Sequence, residues 1–202
     1  MGSFFSSTVD FKSLESLSVL VLYRSRITVF PLLPESIRVL DISENSTIRW
    51  SFPDLASSPL PNLESFKVDY NPLIKNAHVL AILAPSLEKR SLRSLSLHMC
   101  PNMDFDSLEW LMKHGENLEE LAIGGNTTVA DVMSKEVAKF QKLRYLGLPY
   151  SGISGIGLLN VVNGSPGALR EVDISGCMNI GLDAVQLAAK SGVKLTQRRG
   201  GS

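Results

Sequence analysis

The 202-residue sequence predicts an α/β solenoid, in which short parallel strands stack into a curved sheet and the chain returns along the opposite side. Three observations predict it. A segment with apolar residues at L-x-x-L-x-L, followed three residues later by Asn, Cys or Ser, recurs seven times. The second apolar anchors are Leu20, Leu40, Phe66, Leu95, Leu121, Leu146 and Val172, spaced 20, 26, 29, 26, 25 and 26 residues apart. Between the anchors, the intervening stretches pass from proline-rich to helix-patterned along the chain.

The strands come from the L-x-L cores. Alternate residues of a strand point to opposite faces, so Leu95 and Leu97 are expected inward and Ser94, Ser96 and His98 outward. The clearest segments run from Leu92 to Cys100, from Leu118 to Asn126 and from Leu169 to Cys177. Those from Leu17, Ile37, Leu63 and Leu143 are weaker, with Phe66 and Val68 in apolar slots and Ser25 and Ser151 in the polar one. No unit can bury its own leucines, so neighbours must cover one another.

The polar slot sits where the chain turns sharply and leaves backbone groups pointing inward. Such groups need partners once buried. Asn45, Asn71 and Asn126 offer an amide, Ser25 and Ser151 a hydroxyl, and Cys100 and Cys177 a weaker thiol. Both cysteines are thus expected to be structural. The two cysteines do not look like a disulfide framework, lack the set of His and Cys companions that a zinc site needs, and suit a reducing compartment.

The later returns read as helices. Asp104 can cap residues 105–113, Thr128 or Asp131 can begin a helix reaching about Phe140, and Ser154 can cap Gly155–Val162. In that last helix Ile156, Leu159 and Val162 are expected inward. Gly181 precedes a helix over Leu182–Lys190 with Leu182, Val185 and Ala189 inward. Ala77–Leu83 supplies a turn or two, ended by Ala84-Pro85. The early returns hold Pro31 and Pro34, then Pro53, Pro59 and Pro61, and are expected to be extended or turn-like. Val193-Lys194-Leu195 reads as a short closing strand whose following charges blunt the sheet edge. At the other end Phe4, Phe5 and Phe11 are expected to fold over the first strand, unless a further unit precedes it.

Twenty Lys plus Arg balance twenty Asp plus Glu, giving a formal net charge of zero. The basic excess that marks nucleic-acid and anionic-membrane binders is missing, so neither is expected as a partner. No apolar run reaches the eighteen residues of a membrane span, and no signal-peptide pattern opens the chain. The expected location is intracellular, cytoplasmic or nuclear. Met1-Gly2-Ser-Phe-Phe-Ser6 fits a loose acylation pattern that short vector-like starts also match.

The repeated segments resemble the leucine-rich-repeat family over residues 14–197. The stretches from Cys100 and from Cys177-Met-Asn-Ile180 are most similar to its cysteine-containing subclass, common in F-box-type receptors. The resemblance implies a leucine-rich-repeat solenoid, with a curved parallel sheet on the concave face and loops then helices on the convex face. It also implies a single domain over 1–202 with about seven repeats. The implied function is non-catalytic protein binding on the concave face, as in a substrate-recognition arm of a ubiquitin ligase. Too few residues precede the first segment to hold an F-box. The alternatives are a GTPase-activating protein of the Ran type or a fragment of a longer receptor.

On that reading the outward residues form columns. One holds Val21, Asp41, Lys67, Ser96, Ala122, Gly147 and Asp173. The next holds Tyr23, Ser43, Asp69, His98, Gly124, Pro149 and Ser175, and a flank holds Arg24, Glu44, Tyr70, Met99, Gly125, Tyr150 and Gly176. Tyr70, His98, Met99, Tyr145 and Tyr150 are the candidate contacts, because aromatic and Met side chains beside mixed charge suit an interface with another protein. Ala122, Gly124 and Gly125 suggest a shallow hollow between larger neighbours. His78, His98 and His114 are scattered, and no metalloprotease, phosphate-loop or nucleophile-elbow motif occurs, so no enzyme, cofactor or metal is expected.

Overall fold

The computed structural model describes residues 8–103, 111, 114–126, 131–137, 140–164 and 167–197. All but Leu111 of the helix expected over 105–113, the Thr128 start, Phe4, Phe5 and Gly2 lie outside the described residues.

Eight three-residue strands form one sheet: β1 (Val19–Val21), β2 (Val39–Asp41), β3 (Ser65–Lys67), β4 (Ser94–Ser96), β5 (Glu120–Ala122), β6 (Tyr145–Gly147), β7 (Glu171–Asp173) and β8 (Lys194–Thr196). All neighbours are parallel, and the spatial order is the chain order. The central residues Leu20, Leu40, Phe66, Leu95, Leu121, Leu146, Val172 and Leu195 lie side by side. Those of the inner strands are fully buried, whereas Leu20 and Leu195 on the two edge strands are only partly covered. The order never reverses, so the sheet has no switch-point crevice of the sort that binds ligands in doubly wound folds.

The turn after each strand is held by the expected polar slot. Asn45 Nδ2 donates to the carbonyls of Leu22, Ile42 and Ser43. Asn71 Nδ2 serves Ile42, Val68 and Asp69, and Asn126 Nδ2 serves Leu97 and Ile123. Cys100 Sγ reaches the Val68 carbonyl at 3.2 Å and Cys177 Sγ that of Leu148 at 3.1 Å. Each donor caps a carbonyl of the preceding unit, which couples the units through buried hydrogen bonds as well as apolar contact.

Helices line the returns: α1 (Phe52–Ala56), α2 (Asn76–Glu88), α3 (Asp131–Val137), α4 (Gly155–Gly164) and α5 (Leu182–Ala189). Several expectations are corrected here. The second return is not wholly extended, because Pro53 sits in the first turn of α1, where a missing N–H costs nothing. Helix α2 runs through Pro85 to Glu88 and buries Ser86 and Leu87 beyond it, so burial of the last turn outweighs the lost hydrogen bond. Ser154 does cap α4, accepting from the N–H groups of Ile156 and Gly157. Val162 faces inward as expected, but the rest of the face is shifted: Leu158 and Val161 are buried and Ile156 is 71% exposed. In α5, Leu182 is 77% exposed and Ala184 and Ala188 are buried. A β-carbon on Gly155 would stand 2.7 Å from Ala184 Cβ, so these small residues let α4 and α5 approach closely.

The fold class is corrected with them. The chain is an α/β fold with one all-parallel eight-stranded sheet flanked by helices, rather than a leucine-rich-repeat solenoid with a uniformly curved sheet. Successive central residues are 20, 26, 29, 26, 25, 26 and 23 apart, and the returns range from extended chain to a thirteen-residue helix. Unequal units cannot stack their returns with one geometry, so no regular repeat runs through the molecule.

Candidate functional site

The third residue after each of β1 to β7 is left-handed: Arg24, Glu44, Tyr70, Met99, Gly125, Tyr150 and Gly176, with φ of 51, 56, 55, 55, 72, 55 and 68°. The reason is hydrogen bonding. The N–H groups of Tyr70, Met99 and Tyr150 donate to the carbonyls of His98, Gly124 and Ser175, so the ladder continues past the strands and around the turn. A β-carbon disfavours this conformation by about 1–2 kcal/mol. Glycine is therefore the cheapest residue in the row, yet five of its seven positions carry side chains.

Those side chains form an exposed rim along the C-terminal ends of the strands. Tyr70 is 46%, Met99 37% and Tyr150 56% exposed. The two glycines are covered by their neighbours. A β-carbon on Gly125 would meet Met99 Sδ, and one on Gly176 would meet the Tyr150 ring at 2.4 Å. At the start of the row, the Tyr23 hydroxyl and the Arg24 guanidinium both donate to Glu44, and these bonds hold its carboxyl below the usual range.

Inside the rim lies a polar cluster that sequence reasoning did not single out. Asp69 Oδ1 accepts from the Ser96 hydroxyl at 2.6 Å and from the His98 N–H at 2.8 Å. Burial pushes the Asp69 carboxyl up, against these two hydrogen bonds. Its neighbour Tyr70 packs edge-on against the His98 ring, centroids 5.3 Å apart. His98 Nδ1 is buried and has no hydrogen-bond partner among the described residues. The available signal was that Asp69 and His98 occupy the same column in adjacent units.

The sequence-predicted contacts separate accordingly. Tyr70, His98 and Met99 come together, and Tyr150 stands further along the same rim. Tyr145 is on β6 itself, half-buried, its hydroxyl 3.0 Å from where a Gly147 β-carbon would stand. It belongs to the sheet face and not to the rim.

That face is less open than the columns implied. Ser43, Gly124, Gly147 and Ser175 are buried. The hollow expected at Ala122, Gly124 and Gly125 does not exist: Pro149 lies 2.3 Å from the Gly124 β-carbon position, and Met99 fills the space at Gly125. A module that engages its partner on an open concave face, and with it the ubiquitin-ligase-arm reading, is corrected on this ground. A second missed feature is aromatic. Trp50 packs on Phe30 at 5.9 Å and on His78 at 6.0 Å, and Phe52 on His78 at 5.2 Å, fastening α1 to α2.

The Ser96 hydroxyl donates its hydrogen bond to the Asp69 carboxylate rather than to a histidine. Burial pushes the Cys100 thiol up to about 12, leaving no thiolate at neutral pH. Among the described residues no group of three His, Cys, Asp or Glu side chains is placed to hold a metal. No described helix is long and apolar enough to cross a membrane.

The assignment to leucine-rich repeats, to their cysteine-containing subclass, and to the Ran-type activator or receptor-fragment alternatives rested on the resemblance and is withdrawn as a family statement. No protein-family model matches this chain, and no curated protein matches it.

Proposed function

We propose that this chain is a non-enzymatic protein that holds a polypeptide partner along the C-terminal rim of its sheet. Tyr70, His98, Met99 and Tyr150 are the contacts, and Tyr145 on the adjacent face is a further one. One observation carries the reading. Large apolar and aromatic side chains stand exposed at turn positions whose left-handed backbone favours glycine. Conformational strain retained in a row of exposed aromatic and Met residues marks a surface kept for contact rather than for folding.

The local chemistry supports a protein ligand. Tyr70 and His98 present ring edges and faces, Met99 adapts to uneven apolar surface, and the buried carboxyl of Asp69 orders the strand ends beneath them. Spacing between adjacent units is about 4.8 Å, which brings rim side chains of neighbouring strands within reach of one extended segment.

The test compares partners captured by the wild-type chain with those captured by a Tyr70→Gly, Met99→Gly, Tyr150→Gly variant. Glycine removes the side chains and relieves the backbone, so folding is preserved and is checked by thermal unfolding. Loss of the captured polypeptide by a folded variant supports the rim. Undiminished capture sinks it.

A further inference from the structure

The opposite edge of the sheet carries a second feature, independent of the rim. The residues immediately before β2 to β7 are Arg38, Glu64, Arg93, Glu119, Arg144 and Arg170. The first four pair across adjacent strands, Arg38 with Glu64 and Arg93 with Glu119. The alternation then breaks, and two arginines stand side by side. Their backbones are joined, Arg170 N–H donating to the Arg144 carbonyl at 2.8 Å. The two guanidinium groups therefore spring from strands about 4.8 Å apart.

The acids nearby are engaged elsewhere. Glu119 bonds Arg93, Glu120 accepts from the Ser94 hydroxyl, and Glu171 accepts from Lys194 Nζ and Thr196 Oγ1. Among the described residues, Arg144 and Arg170 form no salt bridge. They border a hollow of about 510 Å³, lined also by Glu119, Gln141, Lys142, Gly167 and Ala168. Both arginines are exposed, and among the described residues nothing lies within 4 Å of the Gly167 β-carbon position.

We infer that Arg144 and Arg170 form a phosphoryl-binding site at the start of β6 and β7. Two adjacent like charges repel until an anion bridges them. Each guanidinium offers a planar fork of donors that matches a tetrahedral oxyanion. A phosphoryl dianion neutralises both cations, whereas a carboxylate leaves one unbalanced. The same chemistry is offered by free phosphate and by a phosphorylated side chain of a protein.

Calorimetric titration at low ionic strength tests this with inorganic phosphate, a phosphoserine peptide and the same peptide unphosphorylated. The wild-type chain is expected to bind phosphate or the phosphopeptide and not the unphosphorylated control. Arg144→Gln and Arg170→Gln should each weaken binding by roughly ten- to a hundredfold, and Arg38→Gln should leave it unchanged. Tighter binding of the phosphopeptide than of phosphate identifies a modified protein as the source, and equal binding identifies free phosphate. No binding to the wild-type chain, or binding that survives both arginine substitutions, overturns the site.

Discussion

Met99 lays its sulfur 2.0 Å from the point where a β-carbon on Gly125 would stand. The two residues hold the same turn position in adjacent units, both left-handed, at φ 55 and 72°. The larger fills the space that the smaller leaves, and that complementarity sets the shape of the rim.

Gly125→Ala should therefore destabilise the chain by about 1–2 kcal/mol, the cost of a β-carbon in the left-handed region, while Met99 swings aside. Gly124→Ala should cost more. Its β-carbon would meet the Pro149 backbone at 2.3 Å, which cannot rotate away. Urea denaturation of the two variants checks the order, and equal stability losses would contradict the packing described.

Tyr70→Gly should leave stability nearly unchanged. The lost ring contact with His98 is worth about 0.5–1.5 kcal/mol, and the relieved backbone returns about 1–2 kcal/mol. The same substitution should weaken partner capture. A loss well above 2 kcal/mol in chemical denaturation would mean that Tyr70 is a folding residue.

Asn126→Ala should cost at least about 3 kcal/mol, since each buried group left unsatisfied costs roughly 1–3 kcal/mol. Its amide donates to two carbonyls at 2.9 Å and accepts from the Cys100 N–H at 2.8 Å. Thermal unfolding would reveal the loss as a lowered Tm, and a shift of only a degree or two would show that water replaces the amide.

Asp69 makes stability depend on pH. Burial raises its folded-state affinity for a proton, so its contribution is fully present below the ordinary aspartate value of about 3.9 and is lost as pH rises through the elevated folded value. Asn at this position keeps the acceptor for Ser96 and His98 without the charge. Asp69→Asn should thus be more stable than wild type at neutral pH, with the difference vanishing near pH 3. A difference that does not change over this range would remove Asp69 as its source.

Cys100 and Cys177 should resist thiol reagents in the native state and react on unfolding. Both are buried, and the Cys100 thiol is pushed up to about 12. Rapid labelling of either in native buffer would show that the turns open far more readily than the buried hydrogen bonds imply.

Strand positions were legible in the sequence because they depend on near neighbours. Period-two alternation around Leu40, Leu95 and Leu121 sets which residues point inward, and the Asn and Cys slots mark the turns where carbonyls need a donor. What lies over what was not legible. Whether Gly124 leaves a hollow depends on Pro149 one unit away, and whether Ile156 or Leu158 faces inward depends on how α4 meets its neighbours. The pairing of Arg93 with Glu119, and the adjacency of Arg144 and Arg170, likewise needed the strand register. Local patterns record a residue's own environment. Contacts between units of unequal length are decided only when the returns pack, so exposure along the rim and the juxtaposition of the two arginines belong to the tertiary structure alone.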